Sequence, residues 1–301
     1  MKILLLGKNG QVGHALQRAL VPLGELHALD RAQCDLADEA ALRAAIRRIA
    51  PQVIVNAAAY TAVDRAESEA ELAQRINADA VAAIAQEAAA QRAWLVHYST
   101  DYVFDGDKNS PYDESDDTAP LSVYGRSKLA GEQAIAAAHG RHLVFRTSWV
   151  YAAHGSNFAK TMLRLAAQRA TLSVVADQFG APTSAELIAD VTALALYRVL
   201  ACEGGEALAG LYHLSAAGQT NWCDYARFVI GRAASHGLPL QASPETVRPI
   251  ATADYPTAAR RPRNSRLDSG RLRAAFGLHL PDWRHHLASM IDDLATRDNS
   301  A

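Results

Sequence analysis

The chain has 301 residues, of which half are hydrophobic and 21% are charged, and its formal net charge is −2. Such a composition is typical of a globular protein with one large or two smaller domains. The near balance of charge excludes a broad basic surface for nucleic acid, and no apolar run reaches the roughly 18 residues of a membrane span.

Short apolar runs alternate with Ala-rich helical stretches through the first half of the chain. In chain order, this pattern predicts strands at 2–6, 25–29, 53–55, 94–98 and 143–146, with helices at 12–20, 40–49, 69–91 and 127–138. Strands that alternate with helices form a parallel sheet covered on both faces, with right-handed crossovers. The sequence therefore predicts an α/β fold built on a Rossmann-like, doubly wound parallel sheet.

The alternation loosens after about residue 150. Helices are predicted at 158–168, 185–201 and 222–236, strands at 172–175 and 210–214, and a last helix that ends near Leu294. We expect residues 1–149 to form a dinucleotide-binding Rossmann domain, with chain crossings from the second half. Residues 150–301 are expected to form a smaller α/β substrate domain.

A glycine-rich loop joins the first predicted strand to the first predicted helix. Gly7, Gly10 and Gly13 stand there, with Gln11 and Val12 at the start of the helix. Glycines let the backbone turn sharply and approach a pyrophosphate, while the helix N-terminus offers unpaired N–H groups to it. The spacing is GxxGxxG rather than GxGxxG, and a simple glycine-rich turn is the alternative.

Two charged residues close the second predicted strand. Asp30 lies near the offset at which an acid binds the adenosine ribose, and Arg31 is placed to meet a 2′-phosphate instead. Asp35 and Leu36 are candidates for the border of the adenine. A helix cap or a solvated charge is the alternative for each acid.

Tyr124 and Lys128 are four residues apart in a stretch predicted to be helical, so they share one helix face. A nearby cation stabilises a phenolate and lowers the phenol pKa, which makes the pair a tuned proton donor or acceptor. Thr100 and Asp101 follow the strand at 94–98, at the sheet edge where ligands bind. A local turn is the alternative for Thr100, and coincidence on a solvated helix for the Tyr–Lys pair.

Several strings resemble one family, the dTDP-4-dehydrorhamnose reductases of the extended short-chain dehydrogenase/reductase superfamily. They are Gly-Lys-Asn-Gly-Gln-Val-Gly at 7–13, Asn-Ala-Ala-Ala-Tyr-Thr-Ala-Val-Asp at 56–64, Ser-Thr-Asp-Tyr-Val-Phe-Asp-Gly at 99–106, Tyr-Gly-Arg-Ser-Lys at 124–128 and Arg-Pro-Arg-Asn-Ser-Arg at 261–266. The match runs from residue 1 to about residue 290. The strings at 99–106 and 261–266 are specific, whereas the glycine loop is not.

The resemblance implies an oxidoreductase that uses NADPH or NADH to reduce the 4-keto group of dTDP-4-dehydro-L-rhamnose, yielding dTDP-L-rhamnose for cell-surface polysaccharide such as lipopolysaccharide. Tyr124 would donate the proton, Lys128 would lower the Tyr124 pKa and bind the nicotinamide ribose, and Thr100 with Asp101 would bind the sugar. The remaining expected substrate residues are Trp149, Asn157 and Arg261; the remaining expected cofactor contacts are Ala58, Ala59, Tyr60, Thr61 and Tyr98.

The resemblance also bears on metal and assembly. The family is described with Mg²⁺ bound by acidic residues at a subunit contact, but Ala15 stands where the first acid is expected. Glu186 matches a second acid, and Asp292 or Asp293 would supply a third. Because Mg²⁺ requires oxygen ligands, the missing carboxylate is expected to weaken the site. We therefore assign no metal ligand, and expect turnover that is little affected by EDTA and a monomer or a metal-independent homodimer.

Other classes of function remain open at this point. One is a nucleotide-sugar epimerase or dehydratase of the same superfamily, which retains its cofactor through turnover. Another is a non-catalytic dinucleotide-binding regulatory subunit. Cys34, Cys202 and Cys223 are odd in number and widely spaced, which fits neither a disulfide framework nor a zinc site and favours the cytoplasm.

Overall fold

The structure is a computed structural model that describes residues 1–138 and 140–298. Its strands, in chain order, are β1 (Lys2–Leu6), β2 (Glu25–Leu29), β3 (Val53–Asn56), β4 (Trp94–Thr100), β5 (His142–Thr147), β6 (Val150–Tyr151), β7 (Leu172–Val175), β8 (Phe179–Gly180), β9 (Thr183–Ser184), β10 (Gly210–His213), β11 (Thr220–Asn221) and β12 (Val247–Ile250).

The helices alternate with these strands in the first half and dominate the second. They are α1 (Gln11–Leu20), α2 (Glu39–Ile49), α3 (Val63–Ala66), α4 (Ala70–Gln74), α5 (Ala80–Gln91), α6 (Val123–Ala138), α7 (Phe158–Ala166), α8 (Ala185–Ala201), α9 (Trp222–Ser235), α10 (Gly270–Phe276) and α11 (Trp283–Asp298). No helix in these described ranges is long and apolar enough to cross a membrane.

Six parallel strands form the central sheet in the order β10-β5-β4-β3-β1-β2. The side chains of β3 and β4 are buried along their whole length, because helices cover both faces of the sheet. The predicted doubly wound α/β fold is confirmed. All carboxyl ends meet at one edge, so β1, β3, β4 and β5 deliver their following loops to a common place.

The second half of the chain returns to this sheet. β10 pairs with β5 at one edge, and α8 packs against α1, where the Arg18 guanidinium lies 2.6 Å from Asp190. The other strands of this half form short two-stranded pairs, β7 with β12, β6 with β9 and β8 with β11. The last helix runs to Asp298, past the predicted end near Leu294.

The predicted helix at 69–91 contains a π-helical turn at Arg75–Asp79, between α4 and α5. This turn presents the buried Asn77 side chain, which accepts a hydrogen bond from Tyr60 N–H at 2.8 Å and donates to the Tyr60 carbonyl at 3.0 Å. Asn77 also donates to Ser127 Oγ of α6. The irregular turn therefore ties the loop after β3 to the helix that carries Tyr124 and Lys128.

A buried ion pair joins β5 to α6. The Arg146 guanidinium donates to both Glu132 carboxylate oxygens, with a closest distance of 2.7 Å, and both side chains are more than nine-tenths buried. Removing one partner would leave an uncompensated charge in the interior, which is strongly destabilising.

We therefore expect Glu132→Gln to lower the free energy of unfolding by about 3–5 kcal/mol, measured by urea denaturation. The matched control is Glu206→Gln, which breaks the solvent-exposed pair between Glu206 and Arg141 and is expected to cost about 1 kcal/mol or less. Equal losses in the two variants would show that burial does not set the strength of the Arg146–Glu132 pair.

Candidate active site

A cleft of about 750 Å³ opens at the carboxyl edge of the sheet. Most of the predicted site residues line it. They are Gly7, Gly10, Gln11, Val12, Asp30, Arg31, Asp35, Leu36, Ala58, Ala59, Tyr60, Thr61, Tyr98, Thr100, Asp101, Tyr124, Lys128 and Trp149. Three predicted residues, Gly13, Asn157 and Arg261, stand outside the lining.

Glycines let the loop at the floor of the cleft fold tightly. Gly7 adopts a φ of 85°, and a Cβ there would come within 2.7 Å of the Ala58 nitrogen. A Cβ on Gly13 would lie 2.0 Å from the Gly7 carbonyl oxygen, so Gly13 is needed for loop packing rather than as a lining residue. Gly10 is the N-cap residue of α1 and has no side chain to cap it, which leaves helix N–H groups available to an anion.

Asp30 lies at the end of the cleft beside β2, but its carboxylate is already engaged. The Lys8 ammonium lies 3.3 Å from Asp30, and Gln33 N–H donates to Asp30 Oδ1 at 3.1 Å. Lys8 also donates to the Gln33 side-chain carbonyl at 2.7 Å. The negative charge expected to bind a ribose diol is thus partly compensated by a lysine from the glycine loop.

Arg31 is the exposed member of this end of the cleft. Its guanidinium lies 3.2 Å from Asp35 Oδ2, and its side chain is 77% exposed. Backbone N–H donation from Ala37, together with Arg31, lowers the pKa of Asp35. Because the exposed Arg31–Asp35 pair is weak, Arg31 is free to exchange its partner for a phosphate.

Tyr124 and Lys128 lie one turn apart on α6 at the wall of the cleft, where Lys128 is buried and Tyr124 is half-buried. The helix begins at Val123, four residues before the predicted start, so the i, i+4 relationship that the sequence predicts is met. Thr100, the last residue of β4, donates to Asp101 Oδ1 at 3.1 Å and accepts from Tyr102 N–H at 3.2 Å. A hydroxyl, a phenol and an amine therefore line the same cleft.

Burial dominates the acid–base properties of this wall. It raises the pKa of Tyr124 above its ordinary value, an effect that the Thr100 hydroxyl opposes. Burial also raises the pKa of Asp101 to about 6, against hydrogen bonds from Ser265 and Thr100. Both groups are thus biased towards their protonated forms. The lowering of the Tyr124 pKa by Lys128 stays a prediction.

Lys128 has a buried partner that the sequence analysis did not single out. Its Nζ lies 3.1 Å from His97 Nε2, and His97 Nδ1 lies 3.2 Å from the Asn56 amide nitrogen. Burial lowers the pKa of Lys128 to about 8, against the favourable charge of Glu132. Burial and the Lys128 charge together hold the pKa of His97 well below its ordinary value.

Trp149 lines the far side of the cleft in a strained backbone conformation, with a φ of 49°. Its indole stacks on Trp222 at 3.6 Å between ring centroids. A Cβ on Gly180 would lie 2.7 Å from the Trp149 ring, so the glycine makes room for it. Trp149 thus presents one indole face in a fixed position.

Asn157 and Arg261 have protein partners in this structure. Asn157 caps α7, accepting from Lys160 N–H, and its amide donates to Gln11 Oε1 at 3.0 Å. Arg261 donates to the Tyr102 hydroxyl at 3.0 Å and lies 2.6 Å from Asp64. It lines a second groove beside the main cleft. Their roles as substrate ligands stay predictions.

The acids considered for Mg²⁺ do not form a cluster. Among the described residues, no group of three or more potential metal ligands is close enough to hold an ion. Ala15 is buried on α1. Asp292 is bound by the Arg232 guanidinium at 2.5 Å and by His236 at 2.8 Å, which commits its carboxylate to cations of the chain itself.

Sequence reasoning missed Lys8 and His97. The glycine fingerprint specifies where the glycines stand and not which way the side chains between them point. It therefore gives no sign that Lys8 contacts Asp30. His97 interrupts the otherwise apolar start of β4, and a buried histidine needs hydrogen-bond partners. A polar residue within the apolar first half of a buried strand is the signal that points to it.

Comparison with known proteins gives consistent matches over the full length. The family model of the RmlD substrate binding domain matches residues 1–296. The chain is 52% identical to a protein named dTDP-4-dehydrorhamnose reductase from Escherichia coli (strain K12), covering 98% of this chain and 99% of that protein.

Solved structures agree. A dTDP-4-dehydrorhamnose reductase from Clostridium acetobutylicum superposes with a TM-score of 0.87 at 34% identity, covering 98% of this chain and 99% of that one. A Bacillus anthracis structure with that name, in complex with NADP, gives a TM-score of 0.85 at 33% identity, with 97% and 99% coverage.

Proposed function

The chain belongs to the RmlD substrate binding domain family, and from that premise we propose that it is a reductase of dTDP-4-dehydro-L-rhamnose. It reduces the 4-keto group with NADPH or NADH and yields dTDP-L-rhamnose. The relatives named above carry the name of this activity, and one of them is in complex with NADP.

One observation carries the proposal. Thr100, Tyr124 and Lys128 converge on one wall of a cleft whose floor is the glycine loop at the N-terminus of α1. A dinucleotide whose pyrophosphate lies on that loop would share one cleft with a proton donor and a carbonyl-binding hydroxyl.

The residues of the cleft fit a dinucleotide because Gly7 and Gly13, where a Cβ would clash with the backbone of Ala58 and Gly7, let the loop fold tightly below the uncapped N-terminus of α1. Gly10, Gln11 and Val12 would hold the pyrophosphate, Asp30 and Arg31 the adenosine ribose, and Lys128 the nicotinamide ribose. When bound, the reduced nicotinamide supplies hydride to carbon 4 of the sugar.

The chain's own residues supply the rest of the chemistry. Thr100 donates a hydrogen bond to the keto oxygen, and Tyr124 protonates the oxygen as negative charge develops on it. Because burial keeps Tyr124 protonated at neutral pH, the phenol is in the donor form before reaction. Trp149 offers an indole face to the sugar ring.

We infer a division of labour between the two halves of the chain. Residues 1–149 bind the cofactor, with β10 and α8 added from the second half, and residues 150–301 complete the sugar site. We also infer a cytoplasmic enzyme, since the three cysteines are free.

The reaction is tested by following NADPH absorbance as dTDP-4-dehydro-L-rhamnose is added. A reductase oxidises one NADPH for each sugar reduced. An epimerase or dehydratase of the same superfamily would convert sugar without net loss of NADPH, and a regulatory subunit would bind NADPH without turnover. Either of the last two outcomes would overturn the proposal. The same assay with the GDP- and UDP-linked sugars tests whether the protein discriminates between the nucleotides attached to the sugar.

Tyr124→Phe removes the proton-donating hydroxyl and hardly changes the shape of the side chain. We expect kcat to fall by about 10²–10⁴-fold while NADPH binding, followed by fluorescence, is nearly unchanged. Tyr225→Phe is the matched control, because its buried hydroxyl has no hydrogen-bond partner among the described residues. Turnover of Tyr124→Phe above a tenth of wild type would contradict the assigned role.

Arg31→Ala tests how the protein discriminates between NADPH and NADH. We expect the unmodified protein to use both nicotinamides, because Asp30 favours a free ribose hydroxyl while Arg31 attracts a 2′-phosphate. The variant should lose affinity for NADPH and keep that for NADH, measured by equilibrium titration. Arg47→Ala, another largely exposed arginine but on α2, is the control. An unchanged ratio of the two dissociation constants would rule Arg31 out.

We propose a monomer or a homodimer that does not depend on metal, because Ala15 supplies no carboxylate and Asp292 is bound by Arg232. Turnover and the mass from light scattering should both be unchanged by EDTA and by added Mg²⁺. Activity lost to EDTA and restored by Mg²⁺, or a dimer that forms only with Mg²⁺, would show that this expectation is wrong.

A further inference from the structure

The Thr100 hydroxyl has one proton to donate and two lone pairs with which to accept. In the structure its proton goes to Asp101 Oδ1, at 3.1 Å, and one lone pair accepts from Tyr102 N–H, at 3.2 Å. The proposed reaction requires the same proton for the keto oxygen of the sugar. Because the hydroxyl cannot donate to both acceptors at once, the protonation state of Asp101 determines where Thr100 donates.

Asp101 is a buried carboxyl group with little to stabilise its charge. It is 2% exposed, and its Oδ2 atom has no hydrogen-bond partner among the described residues. The nearby Ser265 and Thr100 hydroxyls lower the pKa of Asp101, but burial outweighs them and raises it to about 6. At neutral pH Asp101 is therefore mostly ionised in the free protein, and a small change in its surroundings is enough to protonate it.

The titratable groups around Asp101 do not compensate its charge. Tyr124 faces it from α6 and Tyr102 from the turn after β4, and burial raises the pKa of both phenols. Three cations on neighbouring elements are bound to other side chains: Lys128 of α6, Arg146 of β5 and Arg261 of the loop before α10. A sugar that displaces water from the cleft would therefore raise the pKa of Asp101 further.

We propose that Asp101 is a positioning residue whose protonation turns the Thr100 hydroxyl towards the keto oxygen, so that binding of the keto sugar takes up one proton. A protonated carboxyl group needs no donor, and its own O–H can donate to the free lone pair of Thr100. The Thr100 proton is then available to the keto oxygen, together with that of Tyr124. The inference rests on the proposed function, because it is the carbonyl substrate that competes for the Thr100 proton.

The magnitudes favour protonation in the complex. With a pKa of about 6, protonating Asp101 at pH 7 lowers the affinity for the sugar about tenfold. A preorganised donor to the developing oxyanion typically raises kcat by about 10²–10³-fold. The gain from Thr100 exceeds the loss of affinity, and solvent supplies the proton through the cleft that Asp101 lines.

The bond between Thr100 and ionised Asp101 is tested in the free protein. The Asp101 carboxyl is followed by NMR with ¹³Cγ-labelled aspartate, and Asp101→Asn assigns its signal. Thr100→Val removes the donor and keeps the shape of the side chain, so we expect the Asp101 titration midpoint to rise by about one pH unit. Ser99→Ala removes a neighbouring buried hydroxyl that has no partner among the described residues, and should leave the midpoint unchanged. An unchanged midpoint in Thr100→Val, or an equal rise in both variants, would overturn the proposal, whether or not the protein reduces the sugar.

Protonation in the complex is tested with the keto sugar and NADP⁺, between which no hydride can pass. At pH 7 we expect the Asp101 signal to move from its ionised to its protonated position when the sugar binds. Calorimetry in buffers of different ionisation enthalpy should show uptake of nearly one proton. An Asp101 that stays ionised in a protein that reduces the sugar would refute this inference and leave the proposed function standing. Absence of sugar reduction would refute the proposed function and the inference with it.

The pH dependence of the rate gives a third test. With saturating NADH, which has no 2′-phosphate to titrate, kcat/KM for the sugar should fall about 20-fold from pH 5.5 to 7.5, as the protonated fraction of Asp101 falls. Asp101→Asn can donate an N–H to Thr100 at every pH, so this fall should disappear. Asp107→Asn, the same change at an exposed position of the same loop, should keep it. A fall that persists in Asp101→Asn, or that is absent from the unmodified protein, would show that the Asp101 proton does not direct Thr100.

Discussion

The placement of the half-buried Tyr124 and the buried Lys128 on one face of α6 is the constraint on which the rest of the site depends. Both side chains lose contact with water, Lys128 more than Tyr124, so their charged forms lose hydration that only a few fixed neighbours can replace. Thr100 is the neighbour of the phenol, and His97 is that of the amine. The proton chemistry of the cleft therefore depends on these fixed side chains more than on solvent.

The sheet puts those neighbours in place. His97 and Thr100 both belong to β4 and lie on opposite sides of the strand. β3 ends at Asn56, which pairs with His97 in the register of the two strands. Because parallel strands end at one edge, three strands and one helix can build a site from short side chains. The π-helical turn at Asn77 then holds α6 against the loop after β3.

Much of this arrangement could be predicted from the sequence, because it depends on periodic patterns. The strands of the central sheet are continuous apolar runs, the Tyr–Lys spacing fixes a helix face, and the glycine loop stands between a predicted strand and a predicted helix. The pairs of two-residue strands, such as β6 with β9, have no period to detect. The sequence also does not indicate which side chains pair with each other. In the structure Asp30 is bound by Lys8, and Asn157 by Gln11.

The central claim is that hydride passes from the nicotinamide to carbon 4 of the sugar while Tyr124 protonates the oxygen. The most direct measurement uses NADPH carrying deuterium at the transferred position of the nicotinamide, with mass spectrometry and NMR of the dTDP-sugar product. The account predicts one deuterium, located at carbon 4, in the product of the unmodified protein. A sugar product without deuterium, or with deuterium at another carbon, would contradict it.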